Sequence, residues 1–163
     1  MNSPKSFTNL QLAALVVLRF FIGWHLLFEG LSKFVDPNWS SVGFLGESQG
    51  IMKGFANWII SNTGVLAVVD FLNIWGLILI GASLILGLLS RGAAFLGFFL
   101  LLMYYLNVPP LTGFEYPVPA EGNNLIINKT LIEAVALFVL AIFPTGHIIG
   151  LDLFRKQMRR KMN

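Results

Sequence analysis

The chain has 163 residues, 56% of them apolar and only 12% charged, with a mean hydropathy of +0.75. Soluble domains carry about a quarter charged residues, so a water-exposed globule, a disordered chain and a coiled coil are all excluded. The lack of cysteine removes disulfides, thiol redox chemistry and thiolate-held metal, and much of the +3 net charge sits in a basic end at Arg155, Lys156, Arg159, Arg160 and Lys161, which fits a bilayer better than nucleic acid.

Apolar residues gather in four runs, 10–34, 65–89, 90–106 and 125–143. Each approaches the roughly 20 residues needed to cross about 30 Å of hydrocarbon. Mostly short joints force neighbours antiparallel, which gives an all-α membrane protein: a four-transmembrane-helix bundle forming one domain over 1–163. The first run is not a cleavable signal, because it is too long and is interrupted by Arg19, His25 and Glu29. In the outer loop that follows, Ile51, Met52, Phe55, Trp58 and Ile59 recur at helical spacing opposite Gln49, Lys53, Asn57 and Ser61. An interfacial amphipathic helix over 48–62 is therefore expected, lying on the outer surface or packed as a lid. The third run is the shortest, since Pro109 and Pro110 stop any helix there. Lys5, Arg91 in the tight joint between the second and third runs, and the 144–163 tail carry most of the basic charge, which places both termini in the cytoplasm.

Four ionisable residues lie inside the first run. On a wheel of about 100° per residue with Arg19 at zero, His25, Glu29 and Lys33 fall near 240°, 280° and 320°. Gly23 and Gly30 lie beside this stripe, at about 40° and 20°, where small residues let another helix approach. A charge at the bilayer centre costs about 2.5–3.5 kcal/mol, so the stripe cannot face lipid. Partners enter from the outer side on other runs: Asp70 and Asn73 on the second, Asn128, Lys129 and Glu133 on the fourth. Together they predict a buried polar cluster opening outward, with Arg19 nearer the midplane and Arg91 at the inner mouth. Snorkelling accounts for Lys33, Asp70 and Lys129, whereas Arg19 and Glu29 are functional candidates by default. His25 is a lone core histidine, so neither haem nor metal ligation is expected. Trp24, Trp39, Trp58, Trp75, Tyr104 and Tyr105 are belt residues or stacking partners for a flat ring.

Arg19 and Gly23, then Glu29-Gly30, Lys33-Phe34, Asp36-Pro37 and Trp39, lead into a Gly81-to-Arg91 stretch with Ala93-Ala94 and a closing Gly146-x-x-x-Gly150-Leu151-Asp152. This order and spacing resembles the DoxX/DoxD family from about residue 19 to 154, with loop 43–62 alike only in character. The resemblance implies four-helix inner-membrane proteins of bacteria and archaea, best known as the membrane subunit of thiosulfate:quinone oxidoreductase. By position, Arg19, Glu29, Gly30 and Lys33 match the family's first-span motif and Arg91 its inner-loop position. Many members place an acidic residue after the glycine of the second span, where this chain has Leu77 after Gly76.

The resulting expectation is a quinone-interacting membrane subunit of an oxidoreductase assembly in a prokaryotic inner membrane, with no metal, haem or iron–sulfur cluster. The quinone would be bound without a covalent link, and electrons would come from a partner subunit. Its pocket would draw on Arg19, His25, Glu29, Lys33 and Asp70, with Trp75, Arg91, Asn128, Lys129 and Glu133. The competing expectation is a non-catalytic adaptor or assembly factor whose Gly23 and Gly30 face receives a partner's transmembrane helix. Lipid, a partner subunit or further copies of the chain are the expected partners, and nucleic acid is not.

Overall fold

The computed structural model describes residues 7–110, 126–153 and 158. Helix α1 (Asn9–Val35) opens on a capping box: Gln11 N donates to Thr8 Oγ1 and Thr8 N to Gln11 Oε1, at 3.3 and 3.0 Å. It ends at Asp36, which Pro37 forces into an extended conformation. Helix α2 (Val42–Gly46) and a 3-10 turn over Gly50–Met52 lead into α3 (Lys53–Ser61). The amphipathic helix expected over 48–62 is thus shorter, because Gly50 adopts a left-handed φ of 63° that breaks any continuous helix. Ala56 and Ile59 of α3 pack with Leu45 against Val65, Leu66 and Val69, while Phe55 and Trp58 stay exposed.

Helix α4 (Thr63–Leu86) ends before the expected residue 89, for a local reason. Gly87 takes φ 65°, its N–H donates to Leu84 O, and Leu88 N–H donates to Ser83 O. That is a Schellman motif, which closes the free carbonyls of the last turn. Helix α5 (Ser90–Asn107) follows after Leu88 and Leu89. Helix α6 (Lys129–Ile142) begins later than expected, because Asn128 Oδ1 accepts from Leu131 N at 2.9 Å and caps it there.

Close packing joins α1 to α4 and α5 to α6, and α4–α5 and α1–α6 contacts complete the ring. Neighbours run antiparallel: Gly23 meets Leu84 while Gly30 meets Leu77, and Phe95 meets Phe138 while Tyr105 reaches Ile126. Their shared core contains Ile22, Leu26, Leu77, Leu84, Leu101 and Leu137. One end of the bundle, the elbow end, holds the α4–α5 turn and residues 143–153. The other, the roof end, holds α2 and α3.

Two helices, α1 and α4, are long and apolar enough to cross a membrane, and only 22% and 17% of their most apolar stretches is buried inside the fold. Core helices of a soluble protein would be covered far more fully. At about 1.5 Å per residue, the 18 residues of α5 reach about 27 Å and the 14 of α6 about 21 Å. The 144–163 segment is not simply a loose tail, since residues 145–152 fold back onto the α4–α5 elbow; residues 154–157 and 159–163 lie outside the described residues.

Candidate functional site

A cavity of about 270 Å³ lies at the roof end, between α4, α5 and the α2–α3 roof. Ser41, Phe44, Leu45, Met52, Phe55 and Ile59 line it from the roof. Val69, Leu72 and Asn73 of α4 and Leu100, Met103, Tyr104 and Asn107 of α5 complete the walls. Leu72, Met103 and Phe55 are exposed, which sets the mouth on the flank of the bundle beneath α3, level with the apolar surface of α4 and α5.

The roof is pinned by polar groups that make it a fixed part of the fold. Asp70 accepts from Ser41 N at 2.9 Å and from the Ser40 and Ser41 hydroxyls, and Asn107 Nδ2 donates to Phe44 O at 3.0 Å. Asp70 is therefore an anchor for the roof, one residue pair removed from the cavity. Inside, the balance is different. Asn73 Oδ1 and Tyr104 Oη are buried neighbours within interaction range of each other but outside good hydrogen-bond geometry, and neither has another partner. Buried polar atoms are nearly always satisfied, and an unmade bond costs about 1–3 kcal/mol, so such a pair in an apolar cavity marks a place for a ligand's polar group.

Apart from Asp70 at the roof, the residues expected to share one pocket separate into three places. Arg19 lies at the elbow end, 5% exposed, where Nη1 donates to Thr145 Oγ1 at 3.0 Å and Nη2 to Ile149 O at 2.8 Å. It lies about 120° around the helix from His25 and about 9 Å lower along the axis. Asp152 accepts from Leu89 N at 2.9 Å and from Ser90 N and Oγ, both at 3.3 Å, which caps α5 from the far end of the chain. Gly87, Gly146 and Gly150 are in backbone contact around this knot, and a methyl on Gly146 would collide with Ser90 Oγ, Gly87 O and Asp152 Oδ2. Arg91 is exposed beside it at the start of α5.

A second group lies on the α1–α6 face. His25 Nε2 is 3.6 Å from Glu133 Oε2, Lys33 Nζ is 2.7 Å from Glu29 Oε2, and Glu29 is within electrostatic reach of His25 and Lys129. Half-exposed side chains carry this cluster, 52% for His25 and 48% for Glu29, so it is a surface feature rather than the buried cluster expected. Glu29 also acts electrostatically on Tyr104, which links this face to the cavity. The third place is the outer rim: Trp75 packs edge-on against Phe34, and Lys33 lies over the ring of Trp39. Asn128 is used as the α6 cap. None of these ten residues lines the cavity.

Gly23 and Gly30 do receive a helix, but it is α4 of the same chain. A Cβ on Gly30 would lie 2.7 Å from Ile78, and one on Gly81 would lie 2.5 Å from Leu27 N. The face expected to bind a partner's helix is therefore filled from within. Leu77, 1% exposed, packs against Gly30 in the same contact, so a carboxylate at this position would be buried in the core.

A family model for DoxX matches residues 14–109, more than half of the chain, covering α1, the roof, α4 and α5. The chain belongs to the DoxX family. No curated protein and no solved structure matches it. This DoxX protein is accordingly a membrane protein, in keeping with two helices that present most of their apolar surface outward. Among the described residues no group of histidines and carboxylates is arranged to hold a metal.

Sequence reasoning missed most of the cavity walls and the capping role of Asp152. It did single out Asn73, as a polar residue in an apolar run, and Tyr104, as a ring that stacks.

Proposed function

We propose that this DoxX protein is the quinone-interacting membrane subunit of an oxidoreductase assembly in a prokaryotic inner membrane, and that the roof-end cavity holds the quinone head group. In this reading α5 and α6 cross the bilayer with α1 and α4, and both termini face the cytoplasm. The observation that carries the proposal is the pair of unpartnered buried atoms, Asn73 Oδ1 and Tyr104 Oη, in an otherwise apolar chamber whose mouth lies on the lipid flank.

The residues fit the group. Tyr104 donates through its hydroxyl to a ring carbonyl oxygen, and Asn73 Oδ1, an acceptor, accepts from a hydroxyl of the reduced, quinol form of the ring. Phe44, Phe55 and Leu100 supply apolar walls for the ring. The volume of about 270 Å³ sits at the lower end of small-molecule pockets, so it holds a head group while a polyprenyl chain leaves through the mouth between Leu72 and Met103. A bound quinone supplies two-electron, two-proton carrier chemistry. The chain holds and orients the ring, excludes water under the roof, and sets Glu29 within electrostatic reach of the Tyr104 hydroxyl. Electrons come from a partner subunit, for which the protein provides the membrane site.

The test is to purify the protein from native membranes and extract its lipid-soluble cofactors. Wild type should retain quinone at close to one per chain, and Val69→Phe, which fills the chamber from α4, should lose it. Equal quinone in the two preparations, or none in either, removes the proposal.

A further inference from the structure

The α1–α6 face poses a problem that the cavity does not solve. His25 lies ten residues, about 15 Å, below the end of α1, so it belongs at membrane depth. It and Glu29 are half exposed, with Lys129 and the partly buried Glu133 alongside on α6. Charges facing acyl chains cost about 2.5–3.5 kcal/mol each at the centre of a span. Something polar must cover them.

The pattern on the face says what that is. Going down α1, the charges run Lys33, Glu29, His25; going down α6, they run Lys129, Glu133. The two rows are matched in depth, since His25 lies 3.6 Å from Glu133 and Glu29 feels Lys129. A partner of one charge sign would leave half of such a mixed row unmatched. A second copy matches Glu29, His25, Lys129 and Glu133, while Lys33 keeps its own Glu29. Turning the chain about a two-fold axis along the membrane normal keeps every residue at its own depth and sets α1 of each copy against α6 of the other. Glu29 then meets Lys129 of the second copy, and His25 meets its Glu133.

We infer that the protein forms a two-fold dimer in the membrane through the α1–α6 face, held by acid–base pairs between Glu29 and Lys129 across the two copies. No residue of this interface lines the cavity, whose mouth opens between α4 and α5, and the copy count reads dimer formation without reference to ligand binding.

The chain has no cysteine, so a single cysteine introduced near the elbow at Arg91→Cys carries one dye per copy, and photobleaching steps in dilute lipid vesicles count the copies. Wild type should show two steps. Glu29→Lys and Lys129→Glu each set like charges against each other twice in a homodimer, and each should weaken association about tenfold or more, or about 1.4 kcal/mol. Mixing the two variants restores both contacts between copies but neither contact within a copy. The mixture should therefore pair to within about twofold of wild type, and predominantly as mixed dimers in a two-colour count. Single steps for wild type at every protein-to-lipid ratio, or a mixture that pairs no better than its components, would overturn the inference.

Discussion

At the elbow end of the bundle, Arg19, Ser90, Thr145 and Asp152 direct their polar groups at one another and at backbone atoms around three closely approached glycines. At the roof end, Asn73 and Tyr104 sit beside an open chamber with polar atoms unpaired. Both ends belong to the same helices, α4 and α5. The elbow's polar groups close on one another and leave no space, whereas at the roof Asp70 and Asn107 pin the loop and leave a chamber beneath it. An ionisable group deep in a membrane protein is thus not by itself the mark of a ligand site. Here Arg19 is a bolt: guanidinium bonds to a hydroxyl and a carbonyl hold a C-terminal turn against the helix elbow. Arg19 Nε is also buried without a partner, so an unsatisfied atom points to a ligand site only where a cavity adjoins it, as at the roof.

The widest gap between the two ends should appear on adding a single methyl. Gly146→Ala forces a carbon onto Ser90, Gly87 and Asp152, and should destabilise the fold by about 3 kcal/mol. Gly54→Ala, in the roof helix α3 with nothing within 4 Å of the new carbon, should be stabilising by about 0.5–1 kcal/mol. Thermal melts of the detergent-solubilised protein read both, and equal effects would remove the contrast. Next in size is Asp152→Ala. It strips acceptors from Leu89 and Ser90 N–H and leaves Arg19 without its nearby anion, for an expected loss of about 2 kcal/mol by the same melts. Quinone retention by the variant that remains folded should be unchanged. The smallest stability effect belongs to Tyr104→Phe. Removing an unpartnered buried hydroxyl should leave the ligand-free protein within about 1 kcal/mol of wild type, yet weaken binding of a short-chain quinone about tenfold in a titration. A large loss of stability with unchanged binding would show that the hydroxyl serves the fold instead.

The α1 and α4 helices were legible in the sequence because their apolar runs are long. Their close pairing was legible in part: Gly23 and Gly30 marked a helix contact, though not that α4 would fill it. The polar stripe on α1 was expected to line one buried cluster, whereas His25 and Glu29 are half exposed and Arg19 is buried apart from them. About 120° around the helix and about 9 Å of rise separate Arg19 from His25, which sends one to the elbow and the other to the α1–α6 face. The role of Asp152 was hidden because it caps a helix whose first residue lies 62 positions earlier in the chain. The cavity was hidden for a different reason. It is defined by where α4 and α5 fail to fill space under the roof, and only Asn73 and Tyr104 left a trace of it in residue types.

The central claim is that the ligand site is the roof-end chamber and not the ionic stripe. Photolabelling places it most directly: a short-chain quinone bearing a photoreactive group is irradiated with the protein in lipid nanodiscs, and the modified peptides are mapped by mass spectrometry. Label should concentrate on residues 41–59 and 100–107, be outcompeted by unlabelled quinone, and disappear in Val69→Phe. Competable label around Arg19 or across the His25–Glu133 pair, with the chamber unmarked, would contradict the account.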